Sequence, residues 1–425
     1  MLRFTTAPVT DMPLDALRIA IFNYLVAKRR GERFVLRFED DGQMPDREKG
    51  ERAVLEVMAL FGLKQHEIYY QSHNLTLHQH MAVKLLGSRD AFACFCTPKE
   101  LQAQKEAAMK AGRPYRYSGG CDRLSDAEVI DNEKPFTVRI KKPATPITFD
   151  DPVLGRVIVT PEEVDSFVIM EADKRPTHPF ATAVDDMLQD ITFVVRSEEE
   201  LTDTPREIHV RNRLGYDKKV TYAHLPPVRF KERRPLGVRE LIEEGFLPEA
   251  IANYLVALGN ETPERVFTLD EAAEWFDVAS LSDTPPIFDL EELRALNREH
   301  MRRHDARELS RAFGFADPAI GEAAKCFLEE GGTIREIKPK IDAIFAPKPF
   351  GHAHGETMRR LQTLVAESPY FEDFDAFESH LCRETGLTRE ALALPLRLLL
   401  TGAETGPELR DLYPHIKTYL QEIVQ

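Results

Sequence analysis

The segment from Arg3 to Asp41, RFTTAPVTDMPLDALRIAIFNYLVAKRRGERFVLRFEDD, decides the fold. It reads as a buried strand, a glycine-poor turn, an amphipathic helix and a second strand. That order predicts a βαβ unit at the start of a nucleotide-binding fold. Strand, crossover helix and parallel strand are the smallest piece from which such a sheet is built.

Outward from this unit, residues 1–90 keep alternating strand-like and helical patterns, with a helix from about Pro45 to Phe61. Residues 91–166 differ in character. They hold CFC, a charged helix over Pro98 to Ala111, a Pro/Gly-rich turn and the short β-type runs FTVRIKK and RVIVT. From Phe167 the α/β pattern resumes, with FVIMEA and ITFVVR as strands and TPREIHVRNRLG as a helix. The pattern predicts an α/β sheet split by an inserted domain, whose two halves pair in space. After Leu236 the chain reads as almost wholly helical, punctuated at Gly259-Asn260, Pro285-Pro286, Gly331-Gly332 and Pro347-Lys348-Pro349.

Composition sets the class. With 425 residues, 43% hydrophobic and 30% charged, the chain is an ordinary globular protein with room for several cores. It has no apolar run near the ~20 residues that span a bilayer. Met1 does not begin a basic-then-apolar signal segment, so a cytoplasmic location is the default expectation. The formal net charge of −15 argues against coating nucleic acid without specificity, but leaves room for one partner on a local basic patch. Five cysteines are too few and too uneven for a disulfide framework, so reduced thiols are expected.

A dozen motifs in order resemble the class I glutamyl-tRNA synthetase family. Arg18 with Ala20-Ile21-Phe22-Asn23 is similar to the RTALFN that follows that family's HIGH signature. LRFEDD (Leu36 to Asp41) resembles LRIEDTD, and Tyr70-Gln71-Ser72 its YQS. Cys94-Phe95-Cys96-Thr97-Pro98 is similar to CFCT, and Tyr115-Arg116-Tyr117 with Cys121 to PRYDGxC. Asp165 to Val168, Pro176-Thr177, Phe180-Ala181 and Asp185-Asp186 fall where DDFV, PTYNFA and VDD belong. His224-Leu225-Pro226, Gly245 to Gly259 and Pro395 to Leu409 follow in sequence. The resemblance implies a Rossmann-type α/β catalytic domain over 1–90 and 167–235, and an inserted acceptor-binding-like domain over 91–166. It further implies a helical stem-contact domain over 236–300 and an all-α anticodon-binding-like domain over 301–425.

Members of that family activate glutamate with ATP and pass the acyl group to tRNA, so donors and cations around the α-phosphate are the main catalytic resource. Where HIGH should stand, this chain has Pro13, Leu14, Asp15 and Ala16. Both histidines are replaced, and a carboxylate takes the glycine's place. The residue-level alternative is that Pro13 and Asp15 simply start a helix. The second signature, KLSK or KMSK, is also missing. Its region is shorter here and offers only Lys231, Arg233 and Arg234, either as phosphate-reaching charge or as a solvated or RNA-facing turn.

The implied glutamate pocket is mixed. Arg3, Glu39 and Arg196 match family positions that contact substrate, an Arg–carboxylate pair being the usual bidentate device. Ala7 replaces a serine, and His178-Pro179 replaces Tyr-Asn. Glu198, Glu199 and Glu200 follow Arg196, so Arg196 is either a ligand arginine or a strand-end arginine bonded to acids.

Cys94, Cys96, Tyr117 and Cys121 resemble a structural zinc set of some bacterial relatives, against the alternative of buried free thiols. For RNA, His300 to Arg311, Arg359-Arg360 and Arg397 fit the family's anticodon-binding surface. The expectation is therefore a tRNA-binding, synthetase-like pseudoenzyme with glutamate activation impaired or lost. An active synthetase or another tRNA-processing protein is a candidate partner; membranes and DNA are not. The rivals are an active ligase, using ATP and Mg and reaching phosphate through Arg18, Lys231 and Arg233, and a protein-interaction scaffold.

Overall fold

The computed structural model describes residues 1–40, 46–231 and 237–425. The opening segment forms β1 (Leu2–Thr6), α1 (Leu14–Arg30) and β2 (Phe34–Phe38). The two strands are parallel, Leu2 opposite Phe34 through to Thr6 opposite Phe38, so α1 is the crossover of a βαβ unit. Every residue of β2 is buried, as expected of a parallel strand covered on both faces. In α1, Leu14, Leu17, Ile21 and Leu25 are buried at three- and four-residue spacing. Asn23 then fastens the helix to the sheet, donating to the Val195 carbonyl at 2.8 Å and accepting from the Val195 N–H at 3.1 Å. Gly31 ends the helix at φ 64°, a left-handed conformation that glycine adopts without Cβ strain.

The chain continues through α2 (Arg47–Leu60), β3 (Glu67–Tyr70), α3 (Leu75–Gly87), β4 (Ala91–Cys94), α4 (Pro98–Lys110) and α5 (Asp126–Ile130). Next come β5 (Thr137–Ile140), β6 (Ile147–Asp151), β7 (Gly155–Val159), α6 (Pro161–Val164) and β8 (Val168–Met170). Then follow α7 (His178–Leu188), β9 (Phe193–Ser197), α8 (Thr204–Leu214), β10 (Thr221–Leu225) and β11 (Arg229–Phe230). After these lie α9 (Val238–Glu243), α10 (Pro248–Ala257), α11 (Leu269–Trp275), β12 (Ile287–Phe288), α12 (Leu290–Arg303) and further helices.

Among the described residues, the main sheet has five parallel strands in the order β10-β9-β1-β2-β3. Strands before and after the insertion therefore share one sheet, with Leu2 opposite Phe193 at the join. The strand in FVIMEA does not enter it. β8 pairs antiparallel with β5, and β5 with β4, in a separate sheet. Burial accounts for the difference: Ala91, Val138, Ile140, Ile169 and Met170 share an apolar cluster with Phe180, Val184 and Val210 of α7 and α8.

The chain divides into two compact units, Met1–Val238 with Leu255–Phe288, and Arg239–Tyr254 with Asp289–Gln425. The first holds the sheets, including a short parallel pairing of β11 with β12. The second is helical around a core that includes Leu309, Phe313, Ile337, Leu361, Phe377 and Leu399. No helix among the described residues is long and apolar enough to cross a membrane.

Candidate active site

The turn from β1 into α1 sets the first part of the site. Pro13 is exposed, at the N-cap position with φ −62° and ψ 149°, and it makes no side-chain cap. Leu14 is buried; Asp15 and Ala16 are half-buried in the first helical turn. Asp15 turns its carboxylate onto the Val228 N–H at 3.1 Å. Burial raises this carboxyl above its usual range and nearby Glu199 adds to the effect, while the Val228 N–H and Arg18 oppose it. A negative side chain suits a helix N-terminus, and it takes up the field that would otherwise attract a phosphate. The turn is held closely on both sides. The Val238 N–H donates to the Met12 carbonyl, and a Cβ on Gly237 would fall 2.1 Å from Asp11 Oδ2. A Cβ on Gly50 of α2 would fall 2.2 Å from the Pro8 carbonyl oxygen, so glycine is what lets this turn lie on α2.

The cations proposed for phosphate are placed unequally. Arg18 is 2% exposed. It donates to the carbonyls of Leu258 at 3.1 Å and Pro226 at 3.4 Å, and its guanidinium lies 4.9 Å from the Phe22 ring centre. Burial pulls it down to about 10. It is a structural arginine facing inward. Lys231 is exposed just after β11. Arg233 and Arg234 lie outside the described residues.

Arg3 and Arg196 are both 2% exposed and both engaged within the chain. Arg3, on β1, donates through Nε and Nη2 to Asp186 of α7 at 2.7 and 3.1 Å. Arg37 of β2 reaches the same carboxylate at 2.8 Å. Burial opposes ionisation of Asp186, but Arg3 and Arg37 outweigh it and hold the carboxyl far below its usual range. Arg196, at the end of β9, donates through Nη1 to Glu207 of α8 at 2.7 Å and through Nε to His224 at 3.2 Å, and through Nη2 to Thr204. Glu200 stands 3.5 Å away, in the 3-10 turn of Glu198–Glu200. His224 is fixed in turn by Asp151 of the β6–β7 hairpin at 2.6 Å.

Glu39 and His178 do come together, 3.9 Å apart. His178 begins α7 and helps line a cavity of about 600 Å³ with Asp40, Gln71, His78, Glu171 and Arg175. His78 is 1% exposed and bonds Asp185 at 2.9 Å. Glu207 and this cavity were not singled out in the sequence, and Asp186 was marked there only as part of a motif, with no site role. The signal for Glu207 was available: Thr204, Glu207, Val210, Arg211 and Leu214 repeat at helical spacing, and all are buried.

In the insertion, β4 ends at Cys94, and Thr97 caps α4 by a reciprocal box with Glu100. The sulfurs of Cys94, Cys96 and Cys121 all lie within 4.8 Å of one another. Cys96 and Cys121 are 3.7 Å apart, near the ~3.8 Å that two thiolates adopt around tetrahedral zinc with 2.3 Å bonds. The Tyr117 hydroxyl lies 3.4 Å from Cys94 Sγ and 3.8 Å from Cys96 Sγ, and accepts from the Cys121 N–H. Burial, helped by its neighbouring thiols, pushes Cys96 up to about 12. Burial also opposes ionisation of Cys94, but hydrogen bonds from Tyr117 and the Cys96 backbone, together with Arg139, bring that thiol below its usual value. Three soft donors in this geometry fit a divalent metal, which would let them ionise together.

The basic stretch His300 to Arg311 is only partly a surface. His300 and Met301 are buried in α12, and His300 bonds Asn253 at 2.8 Å. Their spacing from Leu293 and Leu296 puts them on the helix's inner face. Arg307 and Arg311 remain exposed. Arg360 donates to the Glu384 carbonyl and Arg397 to that of Pro407, while Arg359 lies against the Phe350 ring.

This sheet with its crossover helix has the architecture of a class I synthetase, and residues 2–295 match the family described as tRNA synthetases class I (E and Q), catalytic domain. Two relatives match over the full length of both chains: glutamate–tRNA ligase 1 of Nitratiruptor sp. at 46% identity, and glutamate–tRNA ligase 2 of Sulfurovum sp. at 45%. The crystal structure of a glutamate tRNA ligase from Elizabethkingia meningosepticum shares the fold, with a TM-score of 0.83 at 22% identity over 100% of this chain and 98% of that one. The chain belongs to the glutamyl-tRNA synthetase family.

Proposed function

We propose that this protein is a tRNA-binding member of the glutamyl-tRNA synthetase family in which standard ATP-dependent activation of glutamate is impaired or lost. The observation that carries this reading is the N-terminus of α1. A half-buried carboxylate, Asp15, with Glu199 in electrostatic reach, stands where the family places the glycine of HIGH against ATP. Losing one well-placed donor typically removes ~3 kcal/mol of transition-state stabilisation, a hundredfold or more in rate. Here both imidazoles of one signature are replaced and the lysines of the second are missing from the sequence.

The tRNA partner follows from the names of the full-length relatives. In this reading, residues 91–166 face the acceptor end, 236–300 the stem and 301–425 the anticodon. Zinc on Cys94, Cys96 and Cys121, with Tyr117 or water as the fourth donor, shapes the insertion without touching the reaction. A cytoplasmic location goes with it.

A second reading is favoured by one observation, the 46% identity to a protein named as a ligase over its whole length. In that reading ATP and Mg are bound by other residues. Glutamate-dependent pyrophosphate exchange in the presence of tRNA separates the two. Exchange at background level supports the proposal, and exchange at ordinary synthetase rates overturns it.

A further inference from the structure

Arg3 and Arg196, which match the family's substrate-contacting positions, already hold carboxylates of the chain itself. In Arg196 each of the three guanidinium nitrogens has a partner. Nε faces His224, Nη2 faces Thr204, and Nη1 faces Glu207 at 2.7 Å with Glu200 at 3.5 Å. Glu207 is fully buried, and its second oxygen accepts from the Tyr222 hydroxyl at 3.2 Å. Glu200 is 35% exposed and covers the same guanidinium from the solvent side. Both acids also act on Arg3.

From this we infer that Glu207, backed by Glu200, is the specificity-determining residue of the amino-acid pocket: its carboxylate takes the place on Arg196 that the side chain of an acidic amino acid would need. The inference rests on the reading of impaired glutamate activation and names the residue that sets the pocket against its family's ligand. The physical reason is direct. An incoming carboxylate finds each nitrogen of Arg196 already engaged, and it must approach the like charges of Glu207 and Glu200. A neutral side chain is spared the repulsion. Glu207→Gln keeps the shape and the Tyr222 contact while removing the charge, and so returns an unneutralised guanidinium to the pocket.

The test is equilibrium dialysis of labelled glutamate and glutamine, without ATP, against the full-length wild type, Glu207→Gln and Glu200→Gln. The wild type is expected to bind glutamate no more tightly than glutamine. Glu207→Gln should bind glutamate about tenfold tighter or more, with glutamine unmoved. Glu200→Gln, at a partly exposed position, should gain several-fold and decides the matter if Glu207→Gln does not fold. A merely structural Glu207 would leave the glutamate-to-glutamine ratio unchanged, and that result in folded protein overturns the inference. Wild-type glutamate affinity equal to that of the variants does the same. If the wild type is silent in pyrophosphate exchange yet binds glutamate tightly, the assignment of Glu207 fails and the functional proposal stands. Glutamate-dependent exchange by the wild type removes both.

Discussion

Replacing Asp186 by asparagine should be among the most damaging single-atom-scale changes in the first unit. Asp186 is fully buried and is shared by two guanidinium groups, Arg3 at 2.7 and 3.1 Å and Arg37 at 2.8 Å. Arg37 has no exposed surface, and its Nε and Nη2 have no hydrogen-bond partner among the described residues. Asp186→Asn therefore leaves two buried cations facing a neutral amide. Breaking one buried ion pair costs about 3–5 kcal/mol, and the sharing places this case near the upper figure. For a unit of this size about 5 kcal/mol corresponds to a fall of ~10–20 °C in Tm. The chain's single tryptophan, Trp275, lies in the same unit on α11, so its fluorescence during urea unfolding reports on this unit. The pH dependence adds a second reading. Asp186 has a folded pKa far below its unfolded value near ~3.9, so its contribution is present above that value and is lost as pH falls toward the folded one. Asparagine has no such contribution to lose. The gap between wild type and variant should therefore be widest at pH 7 and narrow on acidification. A difference under ~1 kcal/mol at neutral pH, or a gap that does not change with acid, would refute this account of the buried network.

Two further outcomes are expected. Protein purified without chelator should carry about one zinc per chain by elemental analysis, and Cys96→Ser should lose most of it; equal metal in both would remove the zinc assignment. In the helical unit, burial holds His300 down to about 4 against 6.5 when unfolded, so it stabilises the fold above pH 6.5 and that contribution disappears between pH 6.5 and 4. The loss amounts to about 3 kcal/mol at ~1.4 kcal/mol per pH unit. His304, raised chiefly by its bond to Glu249, changes stability in the opposite sense, so His300→Gln should flatten or invert the acid slope of a circular-dichroism melt, and an unchanged slope counts against it.

The sequence made the skeleton legible because the skeleton is local. Periodicity from Leu14 to Leu25 and the mostly apolar run of β2 determine the βαβ unit without reference to anything distant. The return of β9 and β10 to the same sheet followed from the pattern resuming after the insertion. What stayed hidden depends on contacts far apart in the chain. Arg3 meets Asp186 across 183 positions, and His224 meets Asp151 across 73. β8 is only three residues long, too short for periodicity to choose between two sheets. Arg18 looked available for phosphate because its burial comes from Pro226 and Leu258, which no local pattern connects to α1. Charge alone misled in α12, where His300 counts as basic in the sequence yet packs inward beside Asn253. The replaced signature residues Pro13 and Asp15, by contrast, needed no structure to be noticed. The structure added where the Asp15 carboxylate points.

The central claim is that a synthetase body has kept its tRNA and given up its standard chemistry. The most direct measurement pairs pyrophosphate exchange, with glutamate, ATP and total tRNA, with a tRNA-binding titration of the same preparation at two salt concentrations. Salt-sensitive binding together with exchange no higher than a no-enzyme control is the predicted result. Glutamate-dependent exchange at the rate of an ordinary synthetase would contradict it.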